Sequence, residues 1–148
     1  MSLFNAMNVS ASGMTAQRVR MDIISQNIAN VNSTRDAKGD VYTRKLVVFN
    51  ERSNSPFASV LSAAMRGADS TSNGVKVTGI IEDKESEYKM VYNPSHPDAD
   101  ENGYVTYSNV NTVTEMTDLI DASRSYEANV TAFNAAKSMA LKGLDVGK

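Results

Sequence analysis

Residues 3–31 read LFNAMNVSASGMTAQRVRMDIISQNIANV, and residues 116–144 read MTDLIDASRSYEANVTAFNAAKSMALKGL. In the first stretch Leu3, Met7, Met14, Met21, Ile24, Ile28 and Val31 fall at multiples of the three-and-four step of a helix face. In the second Met116, Leu119, Tyr126, Val130, Phe133 and Leu144 do the same. Ser10, Gln17, Ser123, Lys137 and Ala140 complete the two rows. This is coiled-coil-like spacing, and it predicts one amphipathic helix at each end of the chain. Proline interrupts neither, since Pro56, Pro94 and Pro97 all lie between them. A helix of about 30 residues is about 45 Å long, so an apolar stripe of that length needs a partner of similar length. The nearest candidate is the other terminal helix, and these apolar residues are read as the packing positions of that pair.

The first helix is expected from Ser2 or Phe4 to Val31, tolerating Gly13, and ends in the polar run Asn30 to Thr34. Between the helices the period changes to two. Val41–Phe49, Val75–Ile81 after the turn dipeptide Asn73-Gly74, Tyr88–Tyr92 and Tyr104–Tyr107 read as short strands. Residues 50–72 are rich in Ser, Ala, Asn and Gly and read as a mobile loop with a helical turn near Val60–Met65. The expected fold class is α+β. Residues 1–34 and 111–148 supply the helices of a coiled-coil core, and residues 35–110 form a small antiparallel β module inserted between them.

The outward face of the first helix bears on function. Residues 1–34 contain only three charged side chains, Arg18, Arg20 and Asp22. The remaining polar positions are amides and hydroxyls, which are less costly to bury against other polypeptide than Glu or Lys. That favours contacts on every side, as in a polymer, over a solitary two-helix coiled coil with a solvated surface. Asn8, Ser12, Asn27 and Asn30 are assigned to contacts between subunits on this ground.

Other classes find little support. Lys and Arg number 15 against 17 Asp and Glu, without a basic stripe, so nucleic acid is not an expected partner. Cysteine is absent, which excludes disulfides and thiolate chemistry. No run approaches the 18 to 20 apolar residues that span a bilayer, and the start Met-Ser-Leu-Phe-Asn-Ala-Met-Asn lacks the basic and apolar regions of a signal peptide. If the chain leaves the cytoplasm, it is expected to do so without a cleaved signal. His96 is the sole histidine and sits between Pro94 and Pro97, where a turn is the expected role, so no catalytic triad or multi-histidine metal site can form within one chain. Asp98, Asp100, Asn102 and Gly103 match the start of a calcium loop, but Asn109 stands where a bidentate Glu is required. No catalytic, cofactor, metal or small-molecule site is therefore expected. A wall-degrading hydrolase is the rival class, and it would need a carboxylate pair in a cleft, whereas Glu82, Asp83, Glu85, Glu87, Asp98, Asp100 and Glu101 sit in turns.

Certain strings carry a resemblance. Ser25-Gln26-Asn27-Ile28-Ala29-Asn30, continuing Val31-Asn32-Ser33-Thr34, resembles the N-terminal signature of the bacterial flagellar axial proteins, the rod, hook and hook-associated family. Three further stretches resemble its proximal-rod branch. They are Asn93 to Val105, Asn109-Val110-Asn111 leading to Glu115-Met116-Thr117-Asp118, and Ser123 to Val130 with Phe133-Asn134 and Ala136-Lys137. Hook and distal-rod relatives continue the signature into a Pro-Gly-aromatic turn, which Arg35 to Tyr42 replaces here. The resemblance implies a non-enzymatic subunit passed through the flagellar type III export apparatus. It would polymerise in the periplasm into the drive shaft between membrane ring and hook. Its implied partners are copies of itself, other proximal and distal rod proteins, and the junction of membrane ring and export gate. A distal-rod or hook-like subunit, or an adaptor, is the alternative within the family.

Overall fold

Asn111 starts the second long helix. Its side-chain oxygen accepts the backbone N–H of Val113 at 3.0 Å and of Thr114 at 3.4 Å, and its carbonyl accepts Glu115 N–H at 3.0 Å. These are the N-cap interactions that satisfy the orphan donors of a first turn. In the computed structural model, which describes residues 3–35, 39–52 and 74–146, this helix (α2) runs Thr112–Val146 and the N-terminal one (α1) runs Leu3–Ala29. Between them lie β1 (Lys45–Glu51), β2 (Val75–Glu82), β3 (Lys89–Tyr92) and β4 (Tyr104–Tyr107). The class is α+β, with two long helices packed together and a small antiparallel module between them in sequence.

The β module is two separate two-stranded sheets, β1 with β2 and β3 with β4. In the second, Lys89 pairs with Tyr107, Met90 with Thr106, Val91 with Val105 and Tyr92 with Tyr104. The return from β3 to β4 turns at Gly103, whose φ of +80° suits glycine, and a Cβ there would lie 2.9 Å from the Tyr92 ring. The Tyr92 and Tyr104 rings meet edge to face at 5.3 Å.

Several boundaries differ from expectation, and two of them have a physical reason beside the site. Helix α1 stops at Ala29, because Asn30 N–H divides between the carbonyls of Gln26 and Asn27 and Ser33 N–H turns back to Asn30, which leaves Val31 in the turn. Strand pairing begins at Lys45 rather than Val41, because residues before it are engaged by side chains described below. The expected loop over 50–72, its helical turn near Val60–Met65 and the Leu3 side chain fall mostly or wholly outside the described residues.

Among the described residues the chain forms two compact units, and each contains part of both helices. These units cut across the division into 1–34, 35–110 and 111–148. The first draws on residues 1–18, 49–78 and 123–148. Its buried side chains are small, Ser10, Ala16 and Ala136, and Gly13 faces Asn129 so closely that a Cβ on it would lie 2.8 Å from the amide oxygen. The second draws on residues 19–48 and 79–122. It buries Ile23, Ile24, Val105, Val110 and Ala122 together with the polar Asn27, Ser108 and Glu115. Within it the pairs Asn27–Glu115 and Arg20–Asp118 show the two helices running antiparallel.

Candidate functional site

The second unit is held at its centre by a polar clasp. Asn27, near the end of α1, is 1% exposed and uses its whole amide. Its nitrogen donates to the Lys45 carbonyl at 2.9 Å and to Glu115 Oε2 at 3.0 Å, and its oxygen accepts Lys45 N–H and the Tyr42 hydroxyl, both at 3.0 Å. One side chain thereby joins α1, the approach to β1, and α2.

Arg44 completes the clasp. Its Nε donates to Glu115 Oε1 at 2.6 Å, its Nη2 to Asp118 Oδ2 at 3.2 Å, and its Nη1 lies 3.7 Å from Asp83 Oδ2. Arg20 supplies Asp118 with a second guanidinium at 3.3 Å. The Arg44 backbone is fixed as well, with its N–H on Asn109 Oδ1 at 2.7 Å and its carbonyl accepting Asp83 N–H at 2.8 Å. Asn109 in turn donates to the Asp83 carbonyl at 2.8 Å. Glu115 is 1% exposed, and a buried carboxylate of this kind persists only when paired and hydrogen-bonded on both oxygens. Burial, and then the Glu115 charge, push the Tyr42 hydroxyl above its ordinary range, since both oppose a phenolate. The Ser86 hydroxyl and backbone N–H lower the Asp83 carboxyl, with Arg44 adding to the effect.

The structure redistributes the residues that the sequence assigned to packing and to contacts between subunits. Ile24 is fully buried, and Met7, Met14, Met21, Ile28, Leu119, Tyr126, Val130 and Phe133 are half-buried. Met116 and Leu144 are exposed, at 54% and 71%, and are corrected. The buried row of α2 is set one residue earlier, at Ala122 and Ala136, where small side chains permit close approach, with the half-buried Asn129 between them. Asn27 is corrected too, because it faces its own fold and not outward. Ser12 is likewise engaged at home, accepting Val75 N–H at 3.1 Å and donating to the Val9 carbonyl at 2.7 Å. Asn30 caps the end of α1, donating to the Gln26 carbonyl at 2.8 Å. Of the four, Asn8 alone is exposed.

The clasp residues Arg44, Asp118 and Glu115 escaped the sequence reading as a group. A usable signal existed for Asn27, since Ala16, Arg20, Ile23 and Asn27 follow four-three-four spacing on one face of α1.

A cleft of about 990 Å³ in this unit is bounded by Val31, Thr34, Lys89, His96 and Tyr107 among others, and among the described residues of its lining Glu87 is the one carboxylate. Asp98, from the calcium-like string, is paired with Arg35 at 2.6 Å and accepts Thr34 at 2.8 Å. The backbone N–H of Asp98 donates to His96 Nδ1 at 3.1 Å, in keeping with a turn role for that histidine.

Several large apolar side chains remain in water. In the first turns of α2 these are Val113, Met116 and Ile120, at three- and four-residue spacing and opposite the inward Glu115, Leu119 and Ala122, and Met139, Leu141 and Leu144 follow near its end. On the β3–β4 hairpin they are Met90, Val91, Tyr92 and Tyr104. Such patches mark surfaces that other polypeptide covers.

Comparison with known proteins places the chain in a family. The family described as "Flagella basal body rod protein" matches residues 7–38, and "Flagellar basal body rod FlgEFG protein C-terminal" matches residues 101–146. The flagellar basal-body rod protein FlgC of Bacillus subtilis (strain 168) is 48% identical over 152 residues, covering 100% of both chains. That of Borreliella burgdorferi is 45% identical over 143 residues, covering 94% of this chain and 93% of the relative. That of Salmonella typhimurium (strain LT2) is 39% identical over 148 residues, again covering 100% of both. The chain belongs to the FlgC family of flagellar basal-body rod proteins, and is a structural subunit of that rod.

Proposed function

We propose that this subunit occupies the proximal part of the rod, polymerising in the periplasm into the shaft that carries torque from membrane ring to hook. Its neighbours are copies of itself and other rod proteins, with the membrane-ring and export-gate junction at one end. It reaches that place through the type III export apparatus without loss of a signal peptide, and it acts without catalysing a reaction. In the assembled shaft, residues 1–34 and 111–148 form the helical core, with 35–110 inserted. Asn8 lies at a contact between subunits.

The observation that carries this reading is the outward row Val113, Met116 and Ile120 on α2, three apolar side chains that the chain itself leaves between 54% and 74% exposed. Covering each would contribute about 1.5–3 kcal/mol on an area basis, and contacts repeated along a non-closing polymer multiply the effect. Met116 is thus reassigned from the internal helix pair to a neighbour. The test is Ile120→Lys in cells that make only the substituted chain. The free protein should keep its circular dichroism, and its unfolding free energy within about 0.5 kcal/mol, as exposed substitutions do. Its yield in purified basal bodies should collapse. Full incorporation would show that the row faces water in the rod.

A further inference from the structure

The sequence holds two Asn-Gly dipeptides, Asn73-Gly74 and Asn102-Gly103, and the second lies wholly within the described residues. Such dipeptides are prone to deamidation, because a glycine leaves its backbone nitrogen sterically open to attack the preceding side-chain amide. The surroundings of Gly103 govern that attack. Gly103 N–H donates to the Asp100 carbonyl at 2.8 Å, Asp100 N–H to the Tyr104 carbonyl at 2.9 Å, and Asn93 N–H to the Gly103 carbonyl at 2.9 Å. The first of these bonds closes a four-residue turn over Asp100–Gly103. Among the described residues only glycines have a positive φ, so Glu101 and Asn102 are both negative, and Gly103 follows at +80°. Two negative central φ values, a bond from the fourth residue back to the first, and a left-handed glycine define a type I turn with a bulge.

In that turn Asn102 holds the third position, where ψ is about 0°. Closing a five-membered succinimide ring requires the Gly103 nitrogen to swing about the Asn102 Cα–C bond until it eclipses Cβ. The turn holds it well away from there, and its hydrogen is tied to Asp100. Asn102 itself is exposed, so water has free access to its side chain.

We infer that Asn102 is a deamidation site gated by the β3–β4 turn, closed in the folded hairpin and open to reaction whenever the turn unties. In the step, the Gly103 nitrogen gives its proton to water and bonds to Asn102 Cγ, while the side-chain nitrogen takes up a proton and leaves as ammonia. Water then opens the cyclic imide at either carbonyl, giving aspartate or isoaspartate, with nothing oxidised or reduced. The isoaspartate product routes the main chain through Cβ and so lengthens it by one carbon. With that extra atom Gly103 N–H cannot meet Asp100 while Tyr104 stays opposite Tyr92, and the ring contact at 5.3 Å is lost. A reaction that needs an open turn thus leaves a product that keeps it open. The dipeptide becomes an irreversible record of the time the hairpin spends undone. The inference rests on the hairpin geometry and stands independently of the rod reading.

The test holds the full chain at mildly alkaline pH, native and in unfolding guanidinium chloride, and follows position 102 by peptide mass spectrometry, which separates it from Asn73. The native rate should be lower by about 10-fold or more, because reaction then waits on local opening. Tyr92→Ala removes the ring contact without touching the dipeptide, and it should raise the native rate several-fold. Equal rates in native and unfolded chains would overturn the inference, as would a native rate that Tyr92→Ala leaves unchanged. Should Tyr92→Ala fail to fold, the comparison of native with unfolded chain decides alone. The isolated isoaspartate product should lack the Tyr92–Tyr104 ring contacts in NMR spectra. Asn102→Asp, with the same charge on an ordinary backbone, should keep them. An isoaspartate product that also keeps them would overturn the claim that the product holds the turn open.

Discussion

Replacement of Asn27 separates a residue facing inward from one facing a neighbour. Asn27→Ala deletes four hydrogen bonds at 2.9–3.0 Å, three to neutral groups and one to the Glu115 carboxylate. A neutral bond contributes about 0.5–1.5 kcal/mol net, and one to a charged group about 1.5–3 kcal/mol. Water entering the vacated space recovers part of the loss, and a net destabilisation of about 3–5 kcal/mol is expected. Total stabilities of about 5–15 kcal/mol make that a large fraction. Urea unfolding of the free chain, followed by far-ultraviolet circular dichroism, should show the midpoint fall by about 1 M or more with the slope preserved. Asn27→Asp is a sharper probe. It keeps the acceptor for Lys45 N–H and Tyr42 but sets a second carboxylate oxygen against Glu115 and the Lys45 carbonyl. Like charge and burial would raise the carboxyl pKa of Asn27→Asp in the folded state, so the damage relative to the unsubstituted chain should be greatest near neutrality and relieved as pH falls below that raised value. A loss under about 1 kcal/mol for Asn27→Ala, or an Asn27→Asp protein as stable as the original at pH 7, would refute the geometry on which the reasoning rests.

Three further outcomes are expected. Gly103→Ala forces a left-handed backbone on alanine and drives its Cβ to 2.9 Å from the Tyr92 ring, so it should cost about 1–3 kcal/mol in the same urea experiment, and no loss would mean that the β3–β4 turn relaxes freely. Because the Tyr42 pKa is raised in the folded state, its contribution is complete below about pH 10 and is lost as pH climbs through the folded value. Tyrosinate absorbance should accordingly show one late-titrating group that disappears in Tyr42→Phe, together with about 1 kcal/mol of stability from the lost bond to Asn27. The Asp83 pKa is lowered, so its contribution is present above the ordinary carboxylate value and fades as pH falls through the folded one; carboxyl NMR titration should show Ser86→Ala moving it back upward, and an unmoved titration would discount the Ser86 contacts.

The helices and the place of the β module were legible because periods of 3.5 and 2 are carried by many residues at once, and one misplaced side chain does not hide them. The family was legible from Ser25 to Asn30 for a different reason, namely a string of specific residues. The interior was harder to read. On α2 large residues such as Val130 drew the eye, whereas the buried residues are Ala122 and Ala136, for small side chains line the closest approach of two helices. Asn27 was read as outward because amides are tolerable at a surface between subunits, but the same chemistry suits a buried junction with two backbone groups to satisfy. Arg44 sits in a β-branched run where nothing in the spacing marks it, and its three carboxylate partners are 39, 71 and 74 positions away in sequence. Pairings at that range are set by the folded chain and leave no local pattern.

The Asn27–Lys45 pair also has a meaning for sheet chemistry. Arg44 directs its carbonyl toward Asp83, just beyond the end of β2, so the N–H and C=O of the next residue, Lys45, point to the opposite edge of β1. An open edge there would be a template for an incoming strand, the commonest route from a soluble sheet to an aggregate. Asn27 meets Lys45 as a strand neighbour would, donating to one group and accepting from the other. A side chain thus plugs the sheet at its first rung, and the strand edge is closed at that point to an incoming strand.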